Sequence, residues 1–304
     1  VTIQSGGLAN SFDGTLELYS GATFLGASNQ SHSFGGSLLV GTGATLSAAS
    51  STITMTATTT GKTITLNGSS VYNIVFSGSG GNWAFSTSSL NVQNDFSITA
   101  GTVTLPSATS TVAGSFINSG GTLQHNNGTL QLTASSTGKS VRLNGSSLYN
   151  VEFNGTGGAW TFFDASATSS NNMTITAGTV IAPTSMLTIG GSFQNFGTFT
   201  SGVGTIKFTA NATGKSIRTG GSALYNVLVD GVGGAWTFTD TNATATRDFT
   251  VLNGTTTLPS GTYTVGGSWT TSAGGFTAAT TSTVVLNATT TGKTVDPGIS
   301  TFGS

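Results

Sequence analysis

Short bursts of alternating apolar and polar residues run along this chain, separated by Gly, Asn and Ser. GTVIAPTSMLTIGGSF, starting at Gly178, and ALYNVLVDG, starting at Ala223, are typical. Period-two alternation over a few residues predicts half-buried strands, and blocks of the helix formers Ala, Leu, Glu and Lys are absent. Thr, Val, Ile and Phe, which suit a pleated surface, are abundant. The chain reads as all-β.

The bursts recur at long range. TTTGKTITLNGSSVYNIVFSGSGGNWAF from Thr58 returns as SSTGKSVRLNGSSLYNVEFNGTGGAWTF from Ser135 and as NATGKSIRTGGSALYNVLVDGVGGAWTF from Asn211. A fourth copy opens as TTTGKTVDPGISTF from Thr289. Gly61, Gly138, Gly214 and Gly292 mark one position in successive copies, and Trp83, Trp160 and Trp236 keep the same period. Inside one repeat, segments start at an even spacing, at Gly178, Gly197, Ser216, Ala235 and Gly254.

A segment of that length cannot bury its own apolar side chains, but stacked segments form parallel ladders around a continuous narrow core. The expected fold is a parallel β-solenoid with about 19 residues per coil and four coils per 76–78-residue repeat. Trp83, Trp160 and Trp236 are then expected at equivalent places four coils apart. Alternation places Val180 and Ala182, Leu187 and Ile189, and Trp236 and Phe238 on the inner face. Phe116, Phe193 and Trp269, each after a Gly-Ser pair, are expected in the core. Gly belongs at corners that need positive φ, and Asn118 and Asn195 are corner candidates because Asn bonds local backbone and tolerates that conformation. A string of β-sandwiches is the rival fold. Sandwich domains take about 100 residues, and the short sub-period has no place in one. The expected organisation is an irregular or partial repeat over 1–43 and a continuous solenoid over 44–304, with repeats at about 44–120, 121–196, 197–273 and 274–304.

LTIGGSFQNFGTF from Leu187, with STVAGSFINSGGTL from Ser110 and YTVGGSWTTSAGGF from Tyr263, resembles the coil pattern of large secreted bacterial repeat adhesins. These are the filamentous-haemagglutinin-like and autotransporter-passenger families. The resemblance runs from about Phe34 onward and is one of pattern and composition. It implies a right-handed β-helix placed outside the cell or on its surface. The N-terminal secretion domain of that family is not evident in residues 1–33.

Composition agrees with an ordered but unusual chain. Charged residues make up 6% of the 304, against about 25% in typical soluble proteins. With 36% hydrophobic residues, including 18 Phe and 4 Trp, the chain has apolar content that disordered tracts lack. A net charge of −1 offers no electrostatic attraction for nucleic acid, and no apolar run reaches the roughly 20 residues that span a bilayer. The chain has no Cys, which excludes disulfides.

Candidate chemistry is sparse. Asp164 and Asp240 occupy one repeat position, four coils and about 19 Å apart, too far to act as a glycosidase pair. Asp240 and Asp248 share a coil and read as turn residues. His32 and His125 have no counterparts in other repeats, and His125, within QHNNG, reads as a surface residue. Lys62, Lys139, Lys215 and Lys293 recur once per repeat, too widely spaced for a basic stripe. TITMTAT at 52–58 alternates Thr as an ice-binding face does, yet its relatives TLQLTA, TIKFTA and TVVLNA break the pattern. No catalytic, cofactor or metal site is expected.

The functional expectation is an extracellular structural repeat protein, a subunit or segment of a surface fibre or filament assembled end to end. Residues near Val1–Gly7 would meet residues near Val295–Phe302 of a second copy. The alternative is a cell-surface adhesin stalk or glycan-binding β-helix passenger, and a third possibility is that the sequence is a piece of a longer repeat protein.

Overall fold

The computed structural model describes residues 2–4 and 8–302, and its contacts divide the chain into two compact units, 1–149 and 150–304. No helix occurs among the described residues, and every strand pairing given for them is parallel. Each unit is a β-solenoid whose turns contribute to three parallel ladders.

In the first unit, one ladder runs through Ser31–Phe34, Thr52–Met55, Asn73–Phe76, Phe96–Ile98, Phe116–Asn118 and Lys139–Arg142. A second runs through Leu16–Leu18, Leu38–Val40, Lys62–Thr65, Asn82–Phe85, Thr102–Thr104 and Thr122–Gln124. The third begins with Thr2–Gln4, Thr23–Leu25 and Thr45–Ser47. It resumes through the Val71–Val92 bridge into Leu90–Val92, Thr109–Val112 and Thr129–Leu132. Residues before 44 thus already supply strands to all three ladders.

The second unit repeats this plan. Val151, Met173, Phe193, Ile217 and Phe238 follow one another on the first ladder. Trp160, Val180 and Phe199 lie on the second. Ala167, Leu187, Ile206, Val227, Phe249, Trp269 and Val295 form the third.

The length of a turn is not uniform. Thr179 faces Thr198 and Phe96 faces Phe116, whereas Phe116 faces Val141 and Trp269 faces Val295. The long turns are those that carry the Thr-Gly-Lys segment. There the chain leaves the ladder, exposes residues 58–61, 135–138 and 211–214, and returns through Gly61, Gly138 or Gly214 at φ 75°, 77° and 74°. Only Gly reaches this conformation without steric cost.

These lengths change how the sequence repeat sits on the fold. Between Val151 and its equivalent Val227 the chain lays down eleven successive faces, which is three full turns and two faces of a fourth. Val151 therefore stands on the first ladder and Val227 on the third. Trp160 likewise pairs with Val180 on the second ladder, while Trp236 pairs with Lys215 and Thr256 on the first. The expectation that equivalent tryptophans share one column is corrected here. Close to four turns separate Trp160 from Trp236, but one face is missing, so within the second unit the later repeat is rotated by one face.

The core follows the alternation. Val180, Ala182, Leu187, Ile189, Trp236 and Phe238 are buried, as are Phe116, Phe193 and Trp269. Phe96 and Phe116 stack across one turn at 4.8 Å, and Phe249 meets Trp269 at 4.5 Å. Such pairs add to the gain from burial alone. Asn118 and Asn195 are also fully buried. Asn118 accepts from the Gly121 N–H and donates to Leu143 O, and Asn195 does the same with Gly197 N–H and Thr219 O. The local bond is as expected, but neither residue has positive φ. That conformation falls instead to Asn29, Asn67, Asn126, Asn127 and Asn144 in exposed turns.

Candidate functional site

Within each repeat the recurrent polar residues line up along a single corner; in the second unit the corner beside Asn150 belongs to the first ladder and the corner beside Asn226 to the third. Asn73 Oδ1 accepts the backbone N–H of Asp95 at 3.0 Å. Asp95 Oδ1 accepts the N–H of Ser115 at 2.7 Å, and Ser115 Oγ accepts that of Ser140 at 3.1 Å. Each bond joins one turn to the next. Asn150, Asn172, Ser192 and Ser216 form the same relay, and Asn226, Asp248, Ser268 and Thr294 form it again. The acceptors tie off N–H groups at a corner, where a ladder bond is not available. The glycine before each serine is dictated by the same contact. A Cβ at Gly114, Gly191 or Gly267 would stand 2.3, 2.5 or 2.2 Å from the carboxylate or amide oxygen of the relay.

Asp230, Asp240 and Asp248 are each engaged by partners within the chain. Asp240 accepts from the Thr219 N–H and hydroxyl and from the Gly220 N–H. Asp248 is committed to the Ser268 N–H, with Lys293 Nζ at 3.8 Å. Asp230 meets Lys207 Nζ at 2.8 Å and accepts from Asn253 at 2.7 Å. The Lys207 bond first, then the Asn253 bond, holds this carboxyl below the usual range. Among the described residues no group of three or more His, Asp and Glu is placed to hold a metal ion.

The two histidines have different settings. His125 Nδ1 accepts the Asn127 N–H at 3.0 Å and its ring lies 5.5 Å from Tyr149 in a partly exposed turn. His32 is fully buried, edge-on to Phe24 at 5.3 Å, and burial lowers its pKa from 6.5.

The outer surface carries mostly Thr, Ser, Asn and Gln. At 52–58 the threonines do point outward, but Thr54 is flanked in register by Ser33 and Val75, so no continuous rank of Thr crosses the turns there. Exposed aromatics are few. Phe196 lies under the Arg218 guanidinium at 4.6 Å, Tyr19 donates to Glu17, and Phe163 projects from a turn. An open groove in the first unit is lined by 45–49, 67–70 and Gln93.

Fold and surface together define a parallel β-solenoid whose recurrent polar groups serve the backbone. Comparison with known proteins returns no matching family model, no similar curated protein and no matching solved structure. Among the described residues no helix is long and apolar enough to cross a membrane.

Proposed function

We propose that this chain is an extracellular structural repeat protein, a subunit or segment of a surface fibre or filament, and that it is not an enzyme. The observation that carries this reading is the relay from Asn73 to Ser140 and its two copies. Residue types that in an enzyme would converge on substrate are here spent on neighbouring turns, so repetition serves cohesion. A surface of short uncharged side chains is compatible with close lateral contact and offers little for electrostatic steering. End-to-end association is part of the proposal. On one side it uses 295–302, where Val295, Ile299 and Phe302 are exposed. On the other side Val1 and 5–7 lie outside the described residues.

Negative-stain microscopy of native material, with fibre diffraction, tests the proposal. Continuous filaments with a meridional spacing of about 4.8 Å along the fibre axis are the expected result. Dispersed particles that stay monomeric across a concentration series would overturn end-to-end assembly. A second reading, a glycan-binding surface passenger, draws on exposed Phe196 beneath Arg218 and on exposed Phe163. Aromatic faces stack on sugar rings, and glycan-array binding lost on Phe196→Ala would support it.

A further inference from the structure

The turn that holds Thr283–Leu286 and Val295–Asp296 leaves apolar side chains uncovered. Leu286 is 42% exposed, whereas its repeat equivalents Met55, Leu132 and Phe208 are fully buried. Val295 is 51% exposed, whereas Ile64, Val141 and Ile217 are fully buried. In earlier repeats the following strands supply the cover. Phe76 lies over Met55 and Val229 over Phe208, while Phe85 lies over Ile64 and Phe238 over Ile217. Thr283–Leu286 pairs with Thr262–Val265, and Val295–Asp296 with Trp269–Thr271. The other edge of each meets no strand among the described residues. The third face of this turn is closed as in every repeat. Ser300 Oγ accepts the Phe276 N–H at 2.9 Å, as Ser69, Ser146 and Ser222 accept those of Leu46, Leu123 and Phe199.

The first unit carries the opposite pair of free edges. Ser11–Phe12 pairs with Ser31–Phe34 alone, and Leu16–Leu18 with Leu38–Val40 alone. Their ladders go on to hold Thr52–Met55 and Lys62–Thr65, the strands whose sequence Thr283–Leu286 and Val295–Asp296 repeat. Followed through these ladders, the register puts Ser11 in the column of Thr54 and Phe12 in that of Met55. Leu16 falls in the column of Ile64 and Glu17 in that of Thr65. Phe12 stacks on Phe34 at 5.2 Å and is itself only half-buried.

We propose that these edges are the two halves of one joint. Ser11–Phe12 of a second copy of this chain seats on Thr283–Leu286, and its Leu16–Leu18 seats on Val295–Asp296, as one more turn of the same ladders. The proposal rests on the end-to-end reading, gives it a register and places its first side at residues 11–18. Unpaired strand edges template this kind of pairing, and a head-to-tail contact propagates. Phe12 covers Leu286 as Phe76 covers Met55, Leu16 covers Val295, and Ser11 stands outside beside Val285. The same register sets Glu17 beside Asp296, both exposed. Like charges side by side on neighbouring strands weaken a pairing, so this contact is a signature of the register.

The chain has no cysteine, so introduced pairs report cleanly. Ser11→Cys with Val285→Cys should oxidise into a series of disulfide-linked multimers, because paired strands lie about 4.8 Å apart. Ser11→Cys with Thr283→Cys, two residues out of register, should link far more slowly. Glu17→Gln alone should bring self-association in sedimentation velocity to a concentration about 2–5-fold lower. Filaments that form while neither pair links, or while the 283 pair links first, overturn this joint and leave the end-to-end reading standing. Association unchanged or weakened by Glu17→Gln also overturns the register. A chain that stays monomeric at every concentration overturns both.

Discussion

Asp95 Oδ1 and the backbone N–H of Ser115 are joined at 2.7 Å across successive turns, and Asn172 with Ser192 and Asp248 with Ser268 repeat the contact. Since Asn serves where Asp does in the other two copies, the oxygen matters and the charge does not. Asp95→Asn should therefore change stability by less than about 0.5 kcal/mol, the usual range for a surface change that keeps its contacts. Asp95→Ala leaves a half-buried N–H unpaired and should cost about 1–3 kcal/mol. Urea denaturation curves for the two variants decide; equal losses would show that charge is what the corner uses.

Glycines of two kinds should respond differently to alanine. At Gly191 a Cβ would lie 2.5 Å from Asn172 Oδ1, whereas at Gly214 nothing lies within 4 Å and only the φ of 74° resists substitution. Gly214→Ala should cost about 1–2 kcal/mol, the penalty of left-handed backbone. Gly191→Ala carries a steric clash and should cost more, up to about 3 kcal/mol. Thermal melts that rank them the other way would contradict the close approach at 191.

Phe193 is fully buried and edge-on to Phe199 at 5.1 Å. Phe193→Ala should destabilise by about 3–5 kcal/mol, as large aromatic truncations in packed cores do. A loss below about 1 kcal/mol in chemical denaturation would mean that this column is not packed as described.

The register makes its own prediction. Ser216 faces Thr237, whereas a uniform coil of the length that separates Gly178 from Gly197 would set Thr237 against Arg218. Paired parallel strands lie about 4.8 Å apart, within the Cα separation a disulfide accepts. Ser216→Cys with Thr237→Cys should oxidise readily, and Arg218→Cys with Thr237→Cys should do so much more slowly. Mass spectrometry of the oxidised variants reads the difference, and the reverse order would refute the longer turn.

Acid should weaken the first unit through His32. Burial depresses the folded-state pKa below the 6.5 of the unfolded chain, so the unfolded state takes up the proton first. The contribution is complete above about pH 6.5 and declines as pH falls from there toward the folded-state value. The ring's neighbours are Asn10, Phe24 and, in register, Ile53, and none of them is charged to offset the cost. Denaturation midpoints between about pH 5 and 8 should slope for the wild type and flatten for His32→Phe in that window. A slope unchanged by the substitution would assign the effect elsewhere.

Much of this architecture is local and legible in the sequence alone. Alternation over GTVIAPTSMLTIGGSF marks Val180, Leu187 and Ile189 as inward because successive side chains on a strand point to opposite faces. The Thr-Gly-Lys turns announce positive φ at Gly61, Gly138 and Gly214 because other residues reach it only at a cost. The relay left a partial signal, since Tyr-Asn, Asp/Asn and Gly-Ser recur at the repeat spacing. Their partners could not be read, because Asn73 and Asp95 meet only after the chain has gone once around.

What tertiary structure decided is the register. The strand pattern of the sequence is periodic, but the turns between strands differ in length, and their sum sets which face a residue reaches. The long turn from Phe193 to Ile217 leaves the repeat between Val151 and Val227 one face short of four full circuits. Trp160 and Trp236, identical in local sequence, thus lie on different ladders. Local alternation determines whether a side chain points inward. Only the closed path of the backbone, with its turn-to-turn hydrogen bonds, determines which neighbour it meets there.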